Sequence, residues 1–251
     1  MERIIAYFAH FSHEWNCLPA KPQKRQDTAE VTYSSKCWAL IHLHRERAKQ
    51  ILQVLQSAHI EAIVHGSVSR GDVSKDSDVD AFIPNPPSSF QIETALQNSH
   101  IPIARRLVIQ ATPLYAMKAY VEIDSTTEVS FPLMSLRRVE REFYEFSGEV
   151  NLAQLSANVR VAGVDKRLML IEPTETGHIE SAVLGREEHV AKRLGVAVET
   201  VLDRVRALSK RNAVGRTGVF IKQELDPDET FEMALSRLAT ENPAVRRRLR
   251  K

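Results

Sequence analysis

The stretch HGSVSRGDVSKDSDVDAFI, residues 65 to 83, decides how this chain folds. A short apolar run, EAIVHGSV, leads into it and reads as a strand ending at Gly66. A loop rich in Ser, Lys and Asp follows, and Asp78-Val79-Asp80 then opens a second apolar run, VDAFIP, stopped by NPPSS. Residues i and i+2 of a strand face the same side. Asp78 and Asp80 therefore present two carboxylates to one surface, while Val79 turns toward the core. Asp76 precedes the apolar run and reads as a loop residue; Asp72 completes an Arg-Gly-Asp triplet of no expected significance.

Two carboxylates side by side are costly unless a cation lies between or beside them. Mg²⁺ takes oxygen ligands, commonly one or two carboxylates together with substrate phosphates. Gly66 lets the backbone approach a phosphate closely. Ser67 adds a hydroxyl and an N–H at the start of the next segment, where a helix N-terminus favours anions. Arg70 lies four residues after Gly66, within reach of phosphate oxygens. Together these groups would hold a metal-bound nucleoside triphosphate.

Outward from this stretch the pattern alternates. RERAKQILQVLQSAH carries Ala48, Ile51, Leu52 and Leu55 at helical spacing. FQIETALQNS predicts an amphipathic helix capped by Ser88 or Ser89. ARRLVIQAT, KAYVEID and EVSFPL predict three strands, the last two joined by a turn at Ser125-Thr126-Thr127. LRRVEREFYEFSGEV predicts a charged amphipathic helix, and RLMLIEP a strand followed by a TETG turn. The expected class is α+β. A small mixed-sheet domain spans 37–150, a connecting segment with a strand hairpin spans 151–184, and a mainly helical domain spans 185–251. Residues 1–36 contain PAKPQKRQDTAEVTYSSK, which has no period, and predict a weakly ordered extension.

Composition sets wider limits. The chain has 251 residues, 43% apolar and 26% charged, with a formal charge of +2, so net charge says little about partners. Its two cysteines, Cys17 and Cys37, form no CxxC pair, and His10, His13, His42 and His44 read as scattered surface residues, so no zinc site is expected. No apolar run approaches the length of a membrane span, and the charged, histidine-bearing N-terminus makes a poor signal peptide. A cytoplasmic location is expected.

The pattern of Gly66-Ser67, ten residues, then Asp78-Val79-Asp80 resembles the signature of the DNA polymerase beta-type nucleotidyltransferase superfamily, especially its small prokaryotic members with Gly-Ser-x-x-Arg-Gly and Ser-Asp-x-Asp. The resemblance is strong over residues 60 to about 84 and extends to about 135 only through the order of elements. It implies that Asp78 and Asp80 ligate Mg²⁺, with two ions about 4 Å apart, and that Gly66 and Ser67 hold the triphosphate. The implied reaction moves a nucleoside monophosphate from an NTP to an acceptor hydroxyl, releasing pyrophosphate. The family also needs a third carboxylate that orients or deprotonates the attacking hydroxyl. Glu128, opening the strand EVSFPL, is favoured; Glu122, between Val121 and Ile123, is the alternative, and Asp124 reads as a turn residue.

A second constellation lies in GREEHVAKRLGVAVETVLDRVRALSKRNAVGRTGVFI. A helix stopped by Gly195, a second helix with Val198, Val201, Val205 and Leu208 as its stripe, and a turn with a strand pair resemble a winged helix-turn-helix of bacterial and archaeal regulators. Lys192, Arg193, Arg204, Arg211 and Arg216 are then the expected nucleic-acid contacts, with Arg206 and Lys210 beside them. Glu187, Glu188, Glu199 and Asp203 dilute that charge and leave a packing role open. Lys166 and Arg167 stand between reaching the triphosphate or acceptor and capping a hairpin, and the tail RRRLRK reads as a solvated charge run. Two functions follow: a metal-dependent transferase acting on a nucleic acid or protein, or a nucleotide-sensing DNA-binding regulator. A third is a toxin–antitoxin transferase that modifies tRNA or a partner toxin.

Overall fold

The computed structural model describes residues 28–215 and 218–250, so His10, His13, Cys17 and Arg216 lie outside the described residues. β1 (Ala29–Thr32) and α1 (Ser35–Ser57) precede the deciding stretch. Ser34 caps α1 by accepting from the Cys37 N–H, and the helix buries Ala48, Ile51, Leu52 and Leu55. β2 (Ile63–His65), the single turn α2 (Ser67–Arg70), β3 (Val79–Phe82) and α3 (Ser89–Asn98) follow. Next come β4 (Arg105–Gln110), β5 (Lys118–Glu122) and β6 (Thr127–Pro132). α4 (Arg138–Ser147), β7 (Glu149–Asn151) and α5 (Leu152–Ser156) lead to β8 (Gly163–Val164), β9 (Met169–Pro173) and β10 (Gly177–Ala182). The chain ends with α6 (Glu187–Leu194), α7 (Val198–Val214), β11 (Ile221–Glu224), α8 (Phe231–Glu241) and α9 (Pro243–Leu249).

The mixed sheet predicted from the deciding stretch is present and larger than expected. Its order is β11-β4-β5-β6-β3-β2-β7, with β3 and β6 parallel and the other pairs antiparallel. One face carries the alternating apolar residues Val79, Ala81, Val121 and Val129, which pack on α1, α3 and α8 in one continuous core. The other face carries the polar members of the alternation. A second, four-stranded sheet, β1-β10-β9-β8, stands beside it. α6 and α7 pack with β8 and β9 in a separate cluster that takes in Val190, Val201 and Leu208 together with Phe146 of α4.

Four expectations change. The extension predicted over 1–36 is structured in its described part: β1 pairs antiparallel with β10, bringing Val31 so close to Gly177 that a Cβ there would lie 1.8 Å from the Val31 oxygen. AEVT is mostly exposed and carries no buried alternation, so only its partner strand reveals it. Among the described residues the expected wing shows no strand pair of its own. α7 runs on to Val214, and the following strand β11 pairs with β4 at the edge of the large sheet. The 185–251 segment is therefore divided: β11, α8 and α9 pack with the large sheet, while α6 and α7 pack with β8 and β9. Phe231, Ala234 and Leu238 of α8 and Val245 of α9 belong to the core beneath the large sheet, and Phe231 meets Phe131 edge-on at 5.3 Å. The tail, finally, is helical, with Pro243 in its first turn. Buried Arg248 in it pairs with Glu140 at 3.0 Å and donates to the Ser135 and Leu114 carbonyls.

Candidate functional site

The register of three strands builds the site. Asp80 on β3 is the direct neighbour of Glu128 on β6, and Glu128 is in turn the direct neighbour of Glu122 on β5. Paired residues share a face, so three carboxylates form one row across the polar face of the sheet. Burial first, then Asp78, pushes the Asp80 carboxyl up to about 6. Burial, Asp80, Glu122 and Asp78, in that order, push Glu128 up to about 7. That Asp78 acts on both accords with its expected position on the Asp80 side, just ahead of β3. Asp78 and Asp76 are exposed, and Asp80 is partly buried. Glu122 differs from its neighbours because Arg105 grips it with Nη2 at 2.6 Å and Nε at 2.7 Å. The row thus ends in a neutralised pair and leaves Glu128 facing Asp80 without a guanidinium of its own.

Beside this row lies the glycine turn. Gly66 has φ +76° and ψ −142°, a conformation that belongs to glycine, and a Cβ there would meet nothing within 4 Å. Open space therefore lies where a side chain would stand. The Gly66 N–H donates to the Gly148 carbonyl at 3.0 Å, and its own carbonyl accepts from Ser69 and Arg70. Ser67 Oγ donates to Ser77 Oγ at 3.2 Å, tying the turn to the loop that delivers Asp78. His44 of α1 holds the same loop, with Nε2 3.1 Å from the Ser77 carbonyl. Arg70, expected at a phosphate, is instead buried and donates to the Ser147 carbonyl at 2.6 Å and to Asp72 at 2.9 Å. One turn of helix rotates it away from the Gly66 opening, so it braces the turn from behind.

Residues 45–131 match the family model described as a nucleotidyltransferase domain. The match runs from α1 to β6 and stops before the second sheet and the terminal helices. No curated protein matches the chain. The carboxylate row and the glycine turn both fall inside the nucleotidyltransferase domain, which supports a transferase that acts on nucleoside triphosphates. Among the described residues no group of three or more His, Cys, Asp or Glu side chains is disposed to hold a metal ion by itself. The donors suit a hard cation held by a carboxylate pair plus phosphate oxygens: they are oxygens only, and burial followed by neighbouring carboxylates raises the proton affinity of Asp80 and Glu128.

Several groups at this site escaped the sequence reading. Lys118 lies on β5 on the same face as Glu122, donates to the Tyr144 hydroxyl at 3.0 Å, and is pushed down to about 8 by burial, against the pull of Glu140 and Glu128. Tyr144 of α4 stacks on Phe82 at 3.7 Å between centroids. His65 packs edge-on against Tyr144, and burial, then Lys118, Arg70 and Lys166, push it down to about 3, so it is neutral. The alternation Lys118, Tyr120, Glu122 was the available signal for Lys118; nothing local marks Tyr144 as lining the site.

The expected nucleic-acid residues are divided by the fold. Lys192 and Arg211 are exposed on α6 and α7. Arg193 is engaged with Glu172 at 2.5 Å. Arg204 turns inward, its guanidinium 4.6 Å from the centre of the Phe143 ring and beside Lys118. The start of α7 is also occupied: Glu142 accepts from the Ala197 N–H at 2.8 Å and from Thr200 Oγ1 at 2.6 Å. A recognition helix reads bases with its N-terminal residues, and here that turn is packed against α4.

Proposed function

We propose that the protein is a Mg²⁺-dependent nucleotidyltransferase that transfers a nucleoside monophosphate from an NTP to an acceptor hydroxyl, and that it works in the cytoplasm. The observation that carries the proposal is the row of Asp80 and Glu128 in register beside an open glycine turn. Asp78 and Asp80 hold the cation, and Gly66 and Ser67 receive the triphosphate. Bound Mg²⁺, as one ion or two, supplies neutralisation of the phosphate charge as pyrophosphate leaves. Glu128, raised to about 7, takes the proton of the attacking hydroxyl as its oxygen bonds to the α-phosphorus. Lys118 lies on the same face and offsets part of the negative charge of the row.

The acceptor we propose is a nucleic acid, contacted by the exposed cations Lys192 and Arg211 with Arg206 and Lys210. A DNA-reading regulator is the weaker alternative, because Glu142 and Thr200 occupy the turn that would meet bases. The test incubates the protein with labelled NTPs, Mg²⁺ and total RNA, DNA or protein, against Asp78→Ala/Asp80→Ala. Label transferred by the wild type alone supports the transferase. Nucleotide-sensitive DNA binding without transfer overturns it in favour of the regulator.

A further inference from the structure

The turn between β8 and β9 carries Asp165-Lys166-Arg167-Leu168, and every residue in it except Lys166 is committed. Asp165 accepts from the Arg167 N–H at 2.8 Å, from the Met169 N–H at 2.9 Å and from Arg167 Nε at 2.5 Å. Arg167 is buried and its other end meets Glu180 at 2.6 Å. Leu168 is fully buried in the second cluster and has φ +62°, a left-handed conformation that a branched residue adopts only where its surroundings compel it. Such a turn is over-determined, and strain of this kind gathers where a side chain has to be held in place. The side chain it holds out is Lys166, which is exposed and whose ammonium no ion pair or hydrogen bond engages among the described residues.

The place to which it is held is set by backbone contacts. The Gly66 N–H bonds the Gly148 carbonyl, and β8 crosses directly against that residue: a Cβ on Gly163 would stand 2.5 Å from the Gly148 nitrogen. Arg70 joins the three segments, donating to the Ser147 and Val164 carbonyls. Lys166 follows Val164 by two residues, so the second sheet delivers it to the mouth of the glycine turn. Its charge is felt there by Asp80 and by His65.

We propose that Lys166, carried by the second sheet, binds the non-transferred phosphates of the nucleotide at the Gly66 turn. The proposal rests on the transferase reading above. Of the cations around the row, Arg70 and Arg167 are engaged elsewhere and Lys118 is held by Tyr144; Lys166 is exposed with no hydrogen bond or ion pair among the described residues, suited to a phosphate as a point charge. By this geometry the second sheet completes the nucleotide site, since the sheet of the matched domain supplies the carboxylates and the turn, and its Lys118 is bonded to Tyr144.

The test uses the full chain and inorganic triphosphate with Mg²⁺, which removes any dependence on the base, with binding read by calorimetry. Lys166→Met is expected to weaken triphosphate at least about tenfold, Lys166→Arg to stay within about threefold of wild type, and the thermal shift produced by Mg²⁺ alone to be unchanged in both. Lys166→Met binding triphosphate as tightly as the wild type overturns this inference and leaves the transferase reading intact. A wild type that binds no triphosphate overturns both. A Lys166→Met variant whose Mg²⁺ shift is also lost shows a collapsed site rather than a missing phosphate contact, and overturns the assignment.

Discussion

Glu128 and Glu122 are adjacent on one face, and their surroundings separate them. Arg105 neutralises Glu122, whereas Glu128 faces Asp80 and is raised to about 7. Glu128→Gln is therefore expected to lower transfer by about 10²-fold or more, as for loss of a general base, with Glu122→Gln within about tenfold of wild type; single-turnover label transfer measures both. His65 yields a second residue-scale outcome. Its ordinary value of 6.5 falls to about 3 in the folded protein, so between those values the unfolded chain binds a proton that the folded one does not. The stability it contributes is complete above about pH 6.5 and is lost as pH falls toward 3, with a slope of at most about 1.4 kcal/mol per pH unit. Asp80 and Glu128, raised to about 6 and 7, act in the opposite sense over the same range. The contribution of His65 is therefore read as a difference: urea unfolding from pH 7.5 to 5 is expected to be less acid-sensitive in His65→Gln than in the wild type. These residues were differently legible. Gly66, Ser67, Asp78 and Asp80 stand in one contiguous stretch whose spacing encodes their geometry. Lys118 and Tyr144 reach the site only through cross-strand pairing and helix packing.

Elements were legible where burial imposes a period. α1, α3, α4, α6 and strands β2 to β6 follow apolar spacing that the sequence displays. β1 and β11 do not, because an edge strand with one partner and largely exposed side chains has little buried face to mark it. α7 shows the difference between an element and its use. Its stripe was readable, while the side to which it presents Arg204 depends on α4. Glu142 holds the first turn of α7 through Ala197 and the fully buried Thr200. Glu142→Ala leaves those donors without a partner and is expected to destabilise the protein by about 1–3 kcal/mol, seen as a lower midpoint in denaturant unfolding. A Thr200→Val change that costs as little as a surface substitution would show that this contact does not anchor the helix.

At the scale of the molecule, the chain returns to its first sheet after building a second. β11 extends the large sheet, α8 and α9 cover its apolar face, and the buried Arg248–Glu140 pair joins the last helix to α4. Part of the segment after residue 184 thus packs with the large sheet. Phe231→Ala is expected to cost about 3–5 kcal/mol as a large buried aromatic is removed from the shared core. Truncation after residue 184 is expected to give a chain that fails to fold cooperatively, measured by circular dichroism and calorimetry. A truncated chain that melts cooperatively near the wild-type midpoint would restore two independent domains.

By itself the sequence determined the strand–turn–strand that carries the acidic pair, because residues close along the chain with a period of two leave their geometry in the text. It also determined the mixed sheet around that pair, since each central strand writes its burial into its own alternation. Only the tertiary structure decided which glutamate is neutralised, that Arg70 and Arg204 turn inward, and that the terminal helices close the first core. Those outcomes rest on pairings between residues from 17 to 108 positions apart, and the identity of a partner is not encoded in the local pattern of either one.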